Sequence, residues 1–103
     1  MLNVPRLRIL LELHRRGSLA QVAEALSCSP SAVSQQLSLL ERETGVQLLE
    51  HVGRGVRLTE EAQILVDHAE AVIRRLEEAE ADLAAAQPEL RGRLRIASFQ
   101  TVV

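Results

Sequence analysis

The stretch SPSAVSQQLSLLE, residues 29–41, predicts a helix that is apolar on one side and polar on the other. Ser29 suits the N-cap, and Pro30 suits the first helical position because the N–H it lacks would have no partner there. Val33, Leu37 and Leu40 recur at helical spacing and predict a buried stripe. The other side carries short, uncharged polar groups at Ser31, Ser34, Gln35 and Ser38.

Two further helices are predicted before this stretch. The first covers about residues 4–16 and ends in a basic turn before Gly17. Ser18 is a natural N-cap for the second, whose apolar positions are Leu19, Val22, Ala23 and Leu26. Two short helices joined by a three-residue turn, with another helix before them, are typical of a helix-turn-helix. We place this motif at about residues 18–37.

The segment VQLLEHVGRGVRLT, residues 46–59, is not helical in pattern. It predicts two short strands, near Gln47–His51 and Val56–Leu58, joined by the turn Gly53-Arg54-Gly55. A hairpin in this place is a wing. Arg54 at its tip could enter a minor groove or meet a phosphate, although a solvated turn arginine is common in any hairpin.

A long helix is predicted from Thr59, with acidic residues in its first turn. Its apolar positions alternate steps of three and four, and this heptad pattern predicts a seam at Ala62, Leu65, Ala69, Val72, Leu76, Ala79 and Leu83. The seam could pack on the three-helix body. However, about 28 residues span roughly 40 Å, which favours dimerisation through this helix. Pro88 is expected to end it.

The expected fold class is therefore mainly α: a winged helix-turn-helix of three helices plus a two-stranded β wing, followed by a long dimerisation or linker helix. We expect a winged helix-turn-helix domain over residues 1–58 and the linker helix over residues 59–87. Residues 88–103 are expected to form a hinge and the first strand of a truncated effector-binding domain.

Composition excludes several classes of protein. No apolar run approaches the ~20 residues that a membrane-spanning helix needs. The single cysteine, Cys28, excludes an internal disulfide, favours a cytoplasmic protein, and is expected to be a buried, inert thiol. The three histidines lie on different elements and predict no metal site. No nucleophile elbow or glycine-rich phosphate loop is present, so we expect neither an enzyme nor a cofactor in this chain.

The polar side of the third helix favours DNA contact. Small serines let a helix backbone approach base edges closely, and Gln35 can bind adenine through two hydrogen bonds. Arg42 and Ser38 could reach phosphate. The predicted contacts are Ser29, Pro30, Ser31, Ser34, Gln35, Ser38 and Arg54. The charge of residues 1–57 is only mildly positive, so an alternative stays open: a winged-helix dimerisation module that binds protein without specific DNA binding.

Four groups of residues follow one another in a specific order: Ser18-Leu19 with Val22-Ala23 and Leu26, SPSAVSQQL with Leu40-Glu41, Gly45-Val46-x-Leu48-Leu49-x-His51, and Gly53-Arg54-Gly55-Val56-x-Leu58-Thr59. This pattern resembles the LysR-type transcriptional regulators over essentially the whole chain. The resemblance implies a bacterial regulator that binds operator DNA as a homodimer with antiparallel linker helices, and a tetramer for the full-length protein. It implies DNA contacts at Pro30, Ser31, Ser34, Gln35 and Arg54.

The resemblance also implies an approximately palindromic operator with a T and an A separated by eleven bases. A small-molecule effector is expected for the C-terminal domain, which this chain lacks. Three places depart from the family's pattern. Gln35 stands where an arginine is common, Leu49 and His51 stand where Phe and Arg are usual, and Gln63 replaces a common glycine. We expect the base preference to shift opposite Gln35.

Overall fold

The chain is mainly helical and has one small sheet. A computed structural model describes residues 2–94, with side chains through residue 86. The elements in chain order are α1 Val4–Arg16, α2 Leu19–Leu26, α3 Pro30–Thr44, β1 Leu49–Val52, β2 Gly55–Leu58 and α4 Glu60–Leu94. This order confirms the predicted fold class. In the described part of the chain, no helix is both long and apolar enough to cross a bilayer.

Capping side chains define where the first three helices begin. Ser18 and Ser29 each accept a hydrogen bond from the backbone N–H three residues further on, as the sequence predicts. Asn3 does the same for α1 by accepting from the Arg6 N–H at 3.0 Å, a cap that the sequence pattern did not indicate. Each bond satisfies an N–H that has no partner within its own helix. Local chemistry therefore places these helix starts.

An aliphatic core holds the three helices, the wing base and the start of α4 together. The predicted stripe of α3 is confirmed, since Val33 is 1% exposed and Leu37 and Leu40 are 0% exposed. Their buried neighbours from other elements include Leu10, Leu11, Val22, Leu48 and Val66. Burying one such side chain fully stabilises a fold by about 1.5–3 kcal/mol, so this stripe strongly fixes which side of α3 faces inward.

Cys28 lies in the turn between α2 and α3. The preceding Ser27 adopts the left-handed conformation, with φ at 58°, and the Cys28 N–H donates to the Ala23 carbonyl oxygen at 2.9 Å. The turn ends α2 at Leu26, so Cys28 belongs to the apolar stripe of neither helix. Its thiol is exposed, and the prediction of a buried thiol is wrong. Leu26 is also 38% exposed, so the predicted stripe of α2 is buried only as far as Ala23.

The wing is a two-stranded antiparallel hairpin. Leu49 lies opposite Leu58, and Val52 lies opposite Gly55, which leaves a two-residue tip instead of the expected three-residue turn. Gly53, the first tip residue, has φ at 59°, a conformation that glycine adopts without steric cost. β1 begins at Leu49, two residues later than predicted, because Leu48 packs in the core before strand pairing begins.

The described residues group into two compact units, one up to Ile73 and one from Arg74. The first unit includes the start of α4, because Ala62, Val66 and Ala69 are buried in its core together with Ile73. The predicted boundary at residue 58 assigned this part of α4 to the linker alone. The buried aliphatic side chains make it part of the winged-helix body as well.

α4 continues through Pro88 to Leu94. The prediction that Pro88 ends the helix is therefore wrong, and residues 88–94 are helical instead of forming a hinge. A proline removes one backbone donor, and the residues on both sides of it, Ala84–Ala86 and Glu89–Leu90, are strong helix formers. The strand predicted further on falls in residues 95–103, which lie outside the described residues.

Candidate nucleic-acid interface

The outer side of α3 brings several predicted contact residues together. Ser31, Gln35 and Ser38 are exposed, and Ser34 is half-buried. They lie opposite the stripe that the core covers, so the rotation of the helix about its own axis is fixed by packing. The result is an exposed helical surface of short, uncharged side chains that can donate and accept hydrogen bonds.

Ser29 and Pro30 lie at the N-terminal end of α3, and both are exposed. Ser29 Oγ accepts a hydrogen bond from the Ala32 N–H at 3.1 Å, so the predicted contact residue is also the helix cap. The hydroxyl proton remains available to an external acceptor. The N-terminal end of a helix carries partial positive charge, which favours a phosphate beside it.

The wing presents one arginine that pairs with no acid. Arg54 is exposed at the hairpin tip and makes no ion pair within residues 2–86. Arg57 lies opposite Glu50 in the hairpin, and its guanidinium donates to Glu50 Oε1 at 2.9 and 3.2 Å. Arg54 is therefore the better placed of the two for an external anion.

Most of the other described arginines also pair with carboxylates. Ion pairs involve Arg6, Arg15, Arg16, Arg57 and Arg75. Arg42 makes none with any described acid. It follows Ser38 by four residues, which places it on the same side of α3. Arg42 therefore adds an unpaired positive charge to the polar side of this helix.

A side-chain network ties α3 to α1. Arg6 donates through Nε to Gln36 Oε1 at 2.9 Å and through Nη1 to Glu43 Oε2 at 2.6 Å. The Arg6 and Glu43 side chains are 23% and 27% exposed, so the pair is only partly screened by solvent. No sequence pattern predicts this contact, since the partners are 30 and 37 residues apart. The network holds α3 against α1 through polar groups.

The predicted dimerisation seam of α4 divides into two kinds of residue. Ala62 and Ala69 are 0% exposed in the core of their own chain, so their assignment to a dimer surface is corrected. Leu65 is half-buried against the same core. The remaining members are exposed: Val72, Leu76, Ala79 and Leu83. The sequence did not indicate the buried partners Val66 and Ile73, because one apolar pattern on α4 serves two surfaces.

Known proteins share this arrangement of helix, turn, helix and wing. The family model described as "Bacterial regulatory helix-turn-helix protein, lysR family" matches residues 5–63, more than half of the chain. The chain belongs to the LysR family. The match ends shortly after the start of α4, and it includes all of α2, α3 and the wing.

Relatives of known identity agree with this family. The nitrogen assimilation regulatory protein nac of Klebsiella aerogenes is 38% identical over 95 residues, which cover 92% of this chain and 31% of that protein. Full-length LysG of Corynebacterium glutamicum has a similar structure, with a TM-score of 0.76, 32% identity, and coverage of 86% of this chain and 31% of that one. Full-length CbnR, solved with its target DNA, matches with a TM-score of 0.71 and 26% identity over 82% of this chain and 29% of that one.

The chain spans about a third of the length of these relatives. It holds the DNA-binding domain of a LysR-type regulator, and the predicted resemblance is confirmed. The relatives are transcription regulators and not enzymes, as the sequence indicated. Among the described residues, no group of three His, Cys, Asp or Glu side chains is placed to hold a metal ion.

The two roles of Ser29 can be separated by substitution. Ser29→Ala should lower the free energy of unfolding by about 1 kcal/mol, because the Ala32 N–H loses its acceptor. Ser29→Asp keeps a capping oxygen and should retain stability, but its negative charge should weaken DNA binding. Urea unfolding measures the first effect, and fluorescence anisotropy with a labelled duplex measures the second.

Asn3→Asp is the matched control, since it makes the same kind of change at the cap of α1. We expect it to preserve both stability and DNA affinity. Equal affinity losses in Asn3→Asp and Ser29→Asp would show that the start of α3 has no special place in the interface.

Proposed function

We propose that this chain binds an operator sequence specifically, as a homodimer, with α3 in the major groove of each half-site. The observation that carries this proposal is the exposed, uncharged side of α3 opposite its fully buried stripe. A groove-reading helix needs short side chains so that its backbone lies close to the base edges. The published complex of CbnR with its target DNA, a protein of similar structure, supports the proposal.

Base reading is assigned to the central part of the outer side of α3. Gln35 is exposed there, and its amide can donate to and accept from one adenine. Ser31, Ser34 and Ser38 flank it on the same helix and offer hydroxyls to neighbouring bases or phosphates. The resemblance to the LysR-type regulators implies an arginine at the position of Gln35, so we propose that the operator differs from the common family pattern opposite this residue.

Affinity is assigned to few but well-placed charges. Arg54 at the wing tip and Arg42 on α3 make no ion pair with any acid in the described part of the chain. Phosphate contacts position a protein on DNA without reading sequence, and an arginine at a wing tip can also enter a narrow minor groove. The start of α3, with Ser29 and Pro30, provides a further phosphate site.

Dimerisation is assigned to the exposed apolar residues of α4. Leu76 is 45% exposed and Leu83 is 64% exposed, with the exposed Ala79 between them in sequence. Spacings of three and four residues suit a partner helix, and a small alanine allows close approach. We also propose that the full-length protein forms a tetramer and that the rest of the protein binds a small-molecule effector. The proposed location is the cytoplasm, where bacterial DNA lies. The structure of LysG with its bound effector Arg supports an effector for the longer protein.

Site selection from random DNA tests the sequence-specific part of the proposal. The wild-type chain should enrich an interrupted palindrome, with adenine preferred opposite Gln35. Gln35→Ala should lose about 1–3 kcal/mol of discrimination at that base pair and keep the rest of the consensus, because one bidentate contact is gone. Gln21→Ala, on the exposed side of α2, is the control and should leave the consensus unchanged. Failure of the wild-type chain to enrich any common sequence would refute specific recognition.

The salt dependence of binding distinguishes DNA binding from the protein-binding alternative. Affinity should fall steeply as salt rises, since phosphate contacts release counterions. Arg54→Ala should reduce the slope of log K against log salt by about 1.8, because the dimer loses two phosphate contacts worth about 0.9 each. Arg57→Ala should reduce it less, because Arg57 already pairs with Glu50. A DNA affinity that does not fall as salt rises would favour the protein-binding alternative. Equal slope changes in Arg54→Ala and Arg57→Ala would contradict the distinction between the two arginines.

The oligomeric state of α4 variants tests the dimer. Leu76→Glu should shift the chain toward monomer in sedimentation equilibrium, because it places a charge in the apolar contact. Ala81→Glu adds the same charge at an exposed position of the same helix outside the seam and should remain dimeric. A dimer that survives Leu76→Glu would exclude this part of α4 as the contact.

A further inference from the structure

The base of the wing is held at the end of β2 by Thr59. The Thr59 N–H donates to the Leu48 carbonyl oxygen at 3.0 Å, and its hydroxyl donates to the Gln47 carbonyl oxygen at 2.7 Å. The same hydroxyl accepts from the Ala62 N–H at 3.1 Å, which caps α4. Thr59 therefore connects the wing to α4, and none of its hydrogen bonds reaches α3.

Apolar packing of Leu48 in the shared core and hydrogen bonds to one carboxylate connect α3 to the wing. Glu41 of α3 accepts two hydrogen bonds at Oε2, from the Leu48 N–H at 2.8 Å and from the Leu49 N–H at 3.1 Å. Leu48 is 0% exposed, and Leu49 is the first residue of β1. Among the described side chains of α3, Glu41 is the one that hydrogen-bonds to a residue of β1.

The negative charge of Glu41 is unexpected on a helix that is proposed to bind DNA. A carboxylate on a DNA-binding helix repels phosphate, and its loss would ordinarily favour binding. Here, however, the carboxylate is half-buried and used by two backbone donors. Hydrogen bonds to an ionised acceptor are roughly twice as strong as neutral ones. This arrangement fixes the chain direction at the entrance to β1.

The short hairpin transmits the orientation of its base to its tip. Val52 lies three residue steps after Leu49, so the paired part of the wing is about 10 Å long at 3.3 Å per residue. A tilt of about 10° at the base would displace the tip by nearly 2 Å, enough to break a hydrogen bond between Arg54 and a phosphate. The tip position relative to α3 is therefore sensitive to the contact at Glu41, in addition to the apolar packing of the wing base.

We infer that Glu41 is a positioning residue, which sets the wing relative to the recognition helix so that Arg54 and Gln35 engage the same DNA site. This inference rests on the proposed DNA-binding function and on a contact of Arg54 with DNA. It assigns no DNA contact to Glu41 itself. A residue that only stabilised the fold would lower affinity without changing what Arg54 contributes, and that difference can be measured.

The experiment measures the slope of log K against log salt for the whole chain and a duplex carrying the interrupted T and A palindrome. The effect of Arg54→Ala is determined in the wild-type background and in Glu41→Ala, Glu41→Gln and Glu43→Ala backgrounds. Glu43→Ala is the matched control, because it removes a carboxylate contact from the same helix but touches Arg6 and not the wing. Far-UV circular dichroism establishes that each variant is folded.

In the wild-type and Glu43→Ala backgrounds, Arg54→Ala should reduce the slope by about 1.8, since each of the two bound copies loses one phosphate contact. In the Glu41→Ala background the reduction should be close to zero, and in Glu41→Gln it should be intermediate, since the amide oxygen is a weaker, neutral acceptor. If Glu41→Ala does not fold, Glu41→Gln decides: a reduction smaller than in wild type supports the inference, and an equal one overturns it.

The outcomes separate this inference from the proposed function. If Arg54→Ala lowers the slope equally in every background, Glu41 does not position the wing, and the DNA-binding role of Arg54 stands. If Arg54→Ala leaves the wild-type slope unchanged, Arg54 does not contact phosphate, and the inference about Glu41 is overturned with it. A loss of the Arg54 effect in Glu43→Ala as well would overturn the specific role of Glu41.

Discussion

The burial of Val33, Leu37 and Leu40 is the constraint on which the rest of the domain depends. The chain has a single aromatic residue, so its core must gain stability from closely packed aliphatic side chains. Burying these three residues almost completely fixes the rotation of α3 about its axis. With that rotation fixed, the serines and Gln35 face outward without any need for a local device to aim them. The surface proposed to contact DNA is therefore the side of α3 opposite its packing surface.

Charge is distributed so that few arginines remain unpaired near this surface. Arg6 is used to hold α3 against α1, and Arg57 is paired across the wing with Glu50. The positive charges left on the helix and the wing tip are Arg42 and Arg54. In the proposed mode of DNA binding, the placement of these few charges matters more than the net charge of the domain. The hydrogen bonds from Leu48 and Leu49 to Glu41, which connect the wing to α3, suit that proposed requirement.

α4 shows how one sequence pattern can serve two surfaces. Its apolar residues repeat in steps of three and four, which predicts a single seam. In the folded chain, Ala62 and Ala69 join Val66 and Ile73 in the core, and the later members of the seam are exposed. A straight helix has 3.6 residues per turn, so a seam of period 3.5 gradually changes the direction that it faces. Val66 and Ile73, which directly follow the seam residues Leu65 and Val72 in sequence, are buried in the core instead.

Local sequence alone determined the helix starts at Ser18 and Ser29, the inward stripe of α3, the existence of a wing, and Arg54 at its tip, because caps, glycines and helical periodicity act within a few residues. Only the tertiary structure decided the exposure of Cys28, the burial of Ala62 and Ala69, and the continuation of α4 through Pro88. It also decided the contacts of Arg6 with Glu43 and of Glu41 with the entrance to β1. These features depend on which elements pack together in the folded chain. The residues that make such contacts belong to different segments of the chain, so no local sequence pattern predicts them.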